Sequence, residues 1–514
     1  MSGGDINWTA LIVFIFFFAL VTVLGFFASR WRAGDLSQLH EWGLGGRRFG
    51  TAITWFLVGG DFYTAYTVIA VPAVVFATGA YGFFALPYTI IVYPIVFTIM
   101  PRLWAVARKH NYVTAADFVE GRYSNQWLAL AVAFTGILAT MPYIALQLVG
   151  MQVVIGGLGI GGEGVQGEVP LVIAFVILAL YTYASGLRAP AMIAFVKDIM
   201  IYIVVIAAVA LIPLKLGGYA HVFQAAADAF AAGGKPNTGI TLSGSQMVPF
   251  ATLALGSAMA AFMYPHTMTG VLSSSSGNVV RKNAMLLPAY TILLGLIAML
   301  GYMGIAAGVS VKSNTQVVPA LFQTIFPDWF VGFSFAAIAI GALVPAAIMS
   351  IGAANLFTRN IWRPFVNRNM SPQAESATAK LVSLVVKFGA LAFILSGETK
   401  FAIDLQLLGG VWIIQTFPAI VLGLYRTRFN SWALLAGWAV GMAVGTWLAY
   451  SSGTPKPVYP VVLGDTTYSV YIGILAGALN FVVSVVLSFI LRAMGGAENK
   501  DQTVAADYEL SESA

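Results

Sequence analysis

Polar positions along this chain are sparse and clustered, and apolar positions come in long unbroken runs. The first run spans about 8–28. Twelve more follow at about 50–79, 82–101, 127–157, 169–186, 190–213, 246–272, 284–307, 329–356, 379–396, 401–424, 431–450 and 468–491. A helix needs roughly 20 apolar residues to cross a bilayer. The runs are apolar all round and lack the two-residue alternation of a membrane β-strand. They predict an all-α polytopic membrane protein with about 13 transmembrane helices. No basic residue precedes the first run and no small-residue cleavage site follows it, so it is expected to be a retained helix, not a signal peptide.

The placement of lysine and arginine orients the bundle. Nineteen of the 26 fall in alternate loops, among them Arg30, Arg32, Arg47, Arg48, Arg102, Arg188, Arg281, Arg359 and Arg426. Five fall in the opposite loops, and Lys197 and Lys387 lie inside runs. Positive charge stays on the cytoplasmic side. The N-terminus is therefore expected outside and the C-terminus in the cytoplasm of a bacterial inner membrane, with a short, polar, disordered tail. A helix is expected at His221–Ala232 in the longest outside loop.

Composition agrees. Of 514 residues, 59% are hydrophobic and 9% charged, against about 25% charged in a soluble domain, and the mean hydropathy is +0.85. The net charge of +6 reads as topology and contact with an anionic bilayer rather than nucleic-acid binding. Without cysteine, thiol catalysis and iron–sulfur clusters are excluded. No phosphate-binding loop, metal-ligand cluster or nucleophile–base pair is visible, so neither an enzyme nor a cofactor is expected. Of the four histidines, only His266 falls in a run.

Two runs carry interruptions. Gly59-Gly60-Asp61 sits about ten residues into the run at 50–79, and Tyr264-Pro265-His266 divides the run at 246–272. Paired glycines weaken a helix, an aspartate caps a restarted one, and proline removes a backbone hydrogen bond. The two runs are five helices apart. Matching breaks in two halves are the mark of an inverted-repeat transporter with its site at the breaks. Packing glycines and a simple proline kink are the plainer alternative.

The motif Glu41-Trp42-Gly43-Leu44-Gly45-Gly46-Arg47 before the first broken run resembles the sodium:solute symporter family. Ser185-Gly186-Leu187, Pro265-His266 and Ala346-Ala347-Ile348-Met349-Ser350 carry the same likeness, which extends over roughly 8–495. Within the family, 56–66 (FLVGGDFYTAY), 141–150 (MPYIALQLVG) and 350–359 (SIGAANLFTR) are most similar to bacterial monocarboxylate permeases. The resemblance implies a LeuT-like fold of two inverted five-helix repeats. Residues 1–49 would form the leading helix and a cytoplasmic loop, 50–213 repeat one, and 214–245 an outside loop. Repeat two would occupy 246–424, two trailing helices 425–494, and the tail 495–514.

By the same resemblance, a sodium ion would sit between the broken first core helix and the eighth. The family's carbonyl ligands fall on Gly60, Tyr63 and Ala347, and one hydroxyl on Ser350. The second hydroxyl position is Ile351, which offers no oxygen. On core helix 5 a family aspartate position is Ala194, and a family glutamine position is Lys197. A lysine ammonium standing where sodium stands would make a proton the coupling ion, so sodium and proton both stay open. The plainer reading is that Lys197 snorkels to the interface. Adjacent Asp198 is expected to face away from Lys197, with Lys387 one candidate partner. Asp61 is a candidate cation ligand or proton acceptor, or only a helix cap.

A small anion needs donors in a dry cavity. Thr64, Tyr66, Tyr143, Gln147, Tyr264, His266, Thr267 and Gln415 are the expected lining, although ordinary interhelix hydrogen bonding explains each alone. His266 bonded to a neighbouring carbonyl is the plainer reading of that residue. The narrower resemblance implies lactate, pyruvate and related short acids, perhaps including alanine, carried with a cation by alternating access. Protein partners stay open. A symporter for another small solute, an anion channel and a transmembrane sensor are the alternatives. Sparse intramembrane charge argues against the channel, and the lack of an attached signalling module against the sensor.

Overall fold

The computed structural model describes residues 6–32, 34–60, 63–160, 165–395, 402–426, 429–495 and 500–510. Helix α1 (Trp8–Phe27) leads, and the short α2 (Leu39–Leu44) follows. Helix α3 (Thr51–Thr54) runs into a π turn at Trp55–Gly59. A second π turn, Tyr66–Ala70, opens α4 (Val71–Thr78). Then come α5 (Ala85–Lys109), α6 (Ala115–Tyr123), α7 (Gln126–Gly157), α8 (Val165–Ser185), α9 (Arg188–Lys215) and α10 (Tyr219–Gly233). The second half holds α11 (Gly244–Ala261), α12 (Pro265–Leu272), α13 (Gly277–Leu286), α14 (Pro288–Ala298), α15 (Leu300–Ala306), α16 (Val317–Ile325) and α17 (Asp328–Phe357). After a π turn at Thr358–Trp362 come α18 (Arg363–Phe365), α19 (Pro372–Leu395) and α20 (Ala402–Ile414). Helix α21 (Ser431–Tyr450), strands β1 (Val458–Leu463) and β2 (Thr466–Tyr471), and α22 (Ile472–Ala493) complete the order.

Among the described residues, eleven helices are long and apolar enough to cross a membrane, or twelve if the pair α11–α12, bent by 49°, is one span. The predicted run 50–79 appears as two pieces on either side of 61–62, and its second piece, Tyr66–Thr78, is too short to cross alone. A count of thirteen therefore requires those pieces to make one crossing. The apolar window of α17 is buried throughout, whereas only 28% of that in α1 is. Helix α17 is thus the centre of the bundle, which is why its sequence shows no polar face.

Local chemistry sets several helix ends. The Asn125 side chain accepts from the N–H groups of Trp127 and Leu128 and starts α7. Thr114 and Asp117 form a capping box at α6. At the other end of the bundle, Asn7 caps α1 and donates to Asp328 at 2.8 Å, which ties the first helix to α17. The expected helix in the outside loop is present as α10.

Two features depart from the all-helical reading. The run predicted to begin at 468 starts as a strand: β1 and β2 form an antiparallel hairpin with Val458 opposite Tyr471, and α22 begins only at Ile472. Gly464 takes φ +61° in the turn, where a side chain would be strained. The alternation of 466–471 (TTYSVY) and the Gly464-Asp465 pair are the sequence signals that mark this hairpin.

The second departure is the tail. Expected to be disordered, it packs onto the arginine-rich end over 500–510. Arg122 pairs with Asp501 at 2.6 Å and His110 with Asp507 at 2.7 Å. Tyr508 is buried between the guanidinium groups of Arg102 and Arg122, 5.5 and 5.2 Å from its ring. A polar segment cannot build its own core, but a basic surface supplies complementary charge. Burial works against the charged form of Asp507; the Val504 N–H and the His110 ring outweigh it and hold the carboxyl below its ordinary range. The carboxylate's contribution to docking is therefore full above that range and is lost as pH falls through the lowered value. Asp507→Asn should speed proteolytic removal of the tail at neutral pH by up to about fivefold, the scale of a partly exposed pair. Cleavage at the wild-type rate would show that Asp507 does not hold it.

Candidate ion and solute site

The first helix breaks where two glycines leave the backbone unsupported. The chain passes from the π turn at Trp55–Gly59 through Gly60, and Tyr63 N–H reaches back to the Gly60 carbonyl at 3.2 Å. Side chains cap the restarted segment: Gln147 of α7 accepts from Ala65 N–H at 3.0 Å, and Thr64 Oγ1 accepts from Tyr66 N–H at 3.1 Å. Asp61, named above as a candidate cation ligand, lies outside the described residues, as does Phe62.

Lys197 occupies the broken segment. Its Nζ donates to the Gly60 carbonyl and, at 3.4 Å, to that of Tyr63. Its side chain is fully buried, so it does not snorkel. The expectation that Asp198 would face away is also corrected: Asp198 Oδ1 lies 3.0 Å from Lys197 Nζ, and both side chains are fully buried. Neighbouring Cβ atoms diverge on a helix, but the lysine's four-carbon stem is long enough to fold back over the carboxylate. Asp198 Oδ2 accepts from Tyr290 OH at 2.8 Å, and Tyr63 OH donates to the Tyr290 carbonyl at 3.3 Å. Gly60 lets the pair approach closely: a Cβ on it would meet Lys197 Nζ at 2.8 Å and Asp198 Oδ2 at 2.9 Å, and the two side chains would have to shift.

Helix α17 passes behind both breaks. A Cβ on Gly341 would stand 3.7 Å from the Tyr63 carbonyl, and one on Gly352 would stand 3.0 Å from that of Pro265. Ser350 Oγ donates to the Ala347 carbonyl at 2.7 Å and accepts from Ser383 Oγ at 3.3 Å. Lys387 donates to Ser383 at 2.7 Å. It does not pair with Asp198, which forms its ion pair with Lys197 and accepts from Tyr290 instead. Two of the expected sodium ligands, the carbonyls of Gly60 and Tyr63, thus already accept from an ammonium group.

The second break is built differently. Tyr264 is extended (φ −61°, ψ 141°) and Pro265 opens α12, so backbone N–H groups of the new helix start at mid-bundle. Beside it is a cavity of about 50 Å³, lined by Tyr66, Tyr88, Tyr143, Tyr264, His266, Thr267, Gln406 and Tyr471 among others. One bound water needs roughly 10–15 Å³, so the space suits a solute of a few heavy atoms. The His266 ring lies 5.4 Å from that of Tyr143 and 5.2 Å from that of Tyr264. A second, smaller cavity lies toward the arginine-rich end, with Thr114, Met268 and Thr269 in its wall. Pro265 borders it as well, so the break stands between two chambers.

Five of the eight expected lining residues, Tyr66, Tyr143, Tyr264, His266 and Thr267, therefore meet at one cavity. Three do not line it. Thr64 and Gln147 are used to restart the first helix. Gln415, at the end of α20, has its carbonyl and side-chain oxygen taken by Asn480 of α22 at 2.9 and 3.1 Å. The sequence reading missed Tyr88, Gln406 and Tyr471. Tyr471 ends the unpredicted hairpin and donates to the Leu407 carbonyl at 3.0 Å, and recognising that hairpin was the one route to it.

The model of the sodium:solute symporter family matches residues 42–441. A monocarboxylate transport permease protein of Rhizobium johnstonii is 63% identical over 490 residues, which cover 95% of this chain and 98% of that protein. The uncharacterized symporter YodF of Bacillus subtilis is 34% identical over 455 residues, 88% and 90% of the two chains. Among solved structures, a Na+-coupled sialic acid symporter in a substrate-bound outward-open state superimposes with a TM-score of 0.75. It covers 95% of this chain and 98% of its own at 16% identity, a likeness of fold alone. The fold is LeuT-like, and the molecule is a multi-pass membrane protein. With its broken helices, its central α17 and the family match over most of its length, the chain belongs to the sodium:solute symporter family.

Proposed function

We propose that this symporter imports a short monocarboxylate, such as lactate or pyruvate, across a bacterial inner membrane, and that a proton on Lys197 replaces the coupling sodium ion. One observation carries the reading: Lys197 Nζ is bonded to the carbonyls of Gly60 and Tyr63, the two positions that the family likeness assigns to sodium ligands. With its proton, Lys197 ties the broken helix to α9 and balances Asp198. Without it, the neutral amine has two N–H groups for three acceptors, the two carbonyls and Asp198, so at least one contact is given up and Asp198 loses its cation. Proton binding and the closed geometry of the break are thereby linked, and a solute that prefers that geometry is linked to the proton.

The solute itself would sit beside α12. A carboxylate finds backbone N–H groups at the start of that helix, the His266 ring, and hydroxyls from Thr267 and the surrounding tyrosines. The small volume favours a short acid over a sugar. The name of the Rhizobium relative agrees with this choice. Sodium coupling is the second reading, favoured by the family and by the solved relative.

Proteoliposomes separate the two. Labelled lactate or pyruvate is followed under an inward proton gradient alone and then a sodium gradient alone. The expected result is saturable accumulation with the proton gradient, blocked by other short monocarboxylates, and none with sodium. Accumulation driven only by sodium would reject the lysine mechanism. Failure of every short acid to be accumulated under either gradient would reject the solute.

A further inference from the structure

Lys387 is a second fully buried lysine in the bundle interior, and the mechanism above does not use it. It lies on α19, which packs against α17, α7, α8 and α2 and against the π turn at Thr358–Trp362. Among the described residues, no carboxylate lies within ion-pair distance of it. The ionisable groups of the surrounding elements are engaged elsewhere. On α17, Asp328 binds Asn7; on α7, Tyr143 packs on His266; on α8, Glu168 binds Gln152 and Tyr181 packs on Phe26, while Tyr183 is exposed. On α2, Glu41 pairs with Arg188 and Arg48, and His40 lies near Glu41; Arg359 pairs with Asp117 and with Glu375 of α19 itself. Lys380, also on α19, is one of the basic residues of the arginine-rich end.

What Lys387 does touch leads to the ion site. Its Nζ donates to Ser383, Ser383 donates to Ser350, and Ser350 donates to the Ala347 carbonyl, at 2.7, 3.3 and 2.7 Å. Every donor in this row points the same way, from the lysine nitrogen toward the Ala347 carbonyl. A neutral amine has a lone pair and can accept from Ser383, which allows the row to run in reverse. We propose that Lys387 is a second proton-carrying group of the transport cycle, reached from Ser350 through Ser383. The inference rests on the proton-coupled reading above and deepens it: two protons, on two lysines, would accompany each solute.

The transfer balances. A hydronium ion that reaches Ser350 gives a proton to its Oγ and leaves as water. The former Ser350 proton passes to Ser383 Oγ, and the former Ser383 proton passes to the Lys387 lone pair. Three bonds to hydrogen break and three form, and one positive charge moves from hydronium to ammonium. The row ends in the donor order seen in the structure.

The experiment counts protons taken up per labelled lactate in proteoliposomes with a trapped pH dye, for the wild type and for Lys387→Met, Lys387→Arg and Ser383→Ala. Each variant should lose about one proton per lactate, and accumulation should fall about tenfold for each pH unit of gradient. Arginine should fail like methionine, because a guanidinium keeps its proton. Ser383→Ala removes a single oxygen and guards against misfolding; its lactate exchange without a gradient should persist. An unchanged proton count in Lys387→Met or Ser383→Ala, or wild-type coupling in Lys387→Arg, would overturn the proposal and leave the Lys197 mechanism standing. A wild type that takes up no proton with lactate would instead overturn the Lys197 mechanism itself.

Discussion

Lys197→Gln should abolish proton-driven accumulation of lactate, by about a hundredfold or more, while exchange of labelled for unlabelled lactate across the same membrane survives in part. Glutamine can still donate to the Gly60 carbonyl, but it carries no titratable proton, so the gradient loses its handle on the break. The variant also leaves Asp198 buried without its cation, and removing one partner of a buried pair costs about 3–5 kcal/mol. A lower thermal midpoint is therefore expected, and lost function in the single variant has two possible causes. The double variant Lys197→Gln/Asp198→Asn separates them. Two neutral amides leave no unpaired charge, so stability should largely return and exchange with it, while accumulation stays absent. Gradient-driven uptake at the wild-type level in either variant would remove Lys197 from the coupling mechanism.

Arg188→Leu should destabilise the whole bundle by about 3–5 kcal/mol, without a specific effect on ion choice. Arg188 is fully buried at the start of α9. It donates to the Glu41 carboxylate, to the Glu41 carbonyl at 2.9 Å and to the Arg32 carbonyl at 3.3 Å. Arg48 shares the same carboxylate at 2.9 Å. The backbone closes the other side: Gly186 takes φ +58°, and Leu187 N–H donates to the Trp42 carbonyl at 2.9 Å. The motif from Glu41 to Arg47 and the Ser185-Gly186-Leu187 turn, both of which carried the family likeness, are thus two halves of one clamp. Leucine would leave Glu41 with the half-exposed Arg48 and the more distant His40 ring, 2.9 and 3.9 Å away. Lysine should not rescue, because one ammonium cannot reach three acceptors spread across a guanidinium plane. The check is the thermal midpoint of purified protein, scanned at a fixed rate because such unfolding is commonly irreversible. A midpoint unchanged in Arg188→Leu would make the clamp ornamental.

The two effects differ in kind. The clamp lies at the arginine-rich end and holds α2, just ahead of the first core segment, to α9. The Lys197 contact joins α9 to that core segment deeper in the bundle, at the break itself. On the proposed mechanism, a fixed tie at one end and a protonatable one inside would free the broken helix to move only when the inner tie is released. That division explains why Glu41 and Arg188 are expected to govern stability, and Lys197 the response to a gradient.

Much of this molecule was determined by sequence alone, because lipid leaves few choices. A backbone in hydrocarbon must satisfy its own hydrogen bonds, so long apolar runs become helices, and most predicted runs match helices to within several residues. The breaks were legible as candidates: Gly59-Gly60 and Tyr264-Pro265 weaken a helical ladder, although Gly409-Gly410 inside α20 and Pro142 inside α7 show that the same residues can sit in an unbroken helix. What only the tertiary structure decided is how side chains spend their few polar contacts. Adjacency on a helix placed Asp198 away from Lys197, yet a flexible stem and a shared dry pocket brought them together. Gln415 looked available for a solute until α22 supplied Asn480. The tail looked featureless until a basic surface lay beneath it. Such pairings join positions up to several hundred residues apart, and their energies depend on burial, which arises only once the helices have packed.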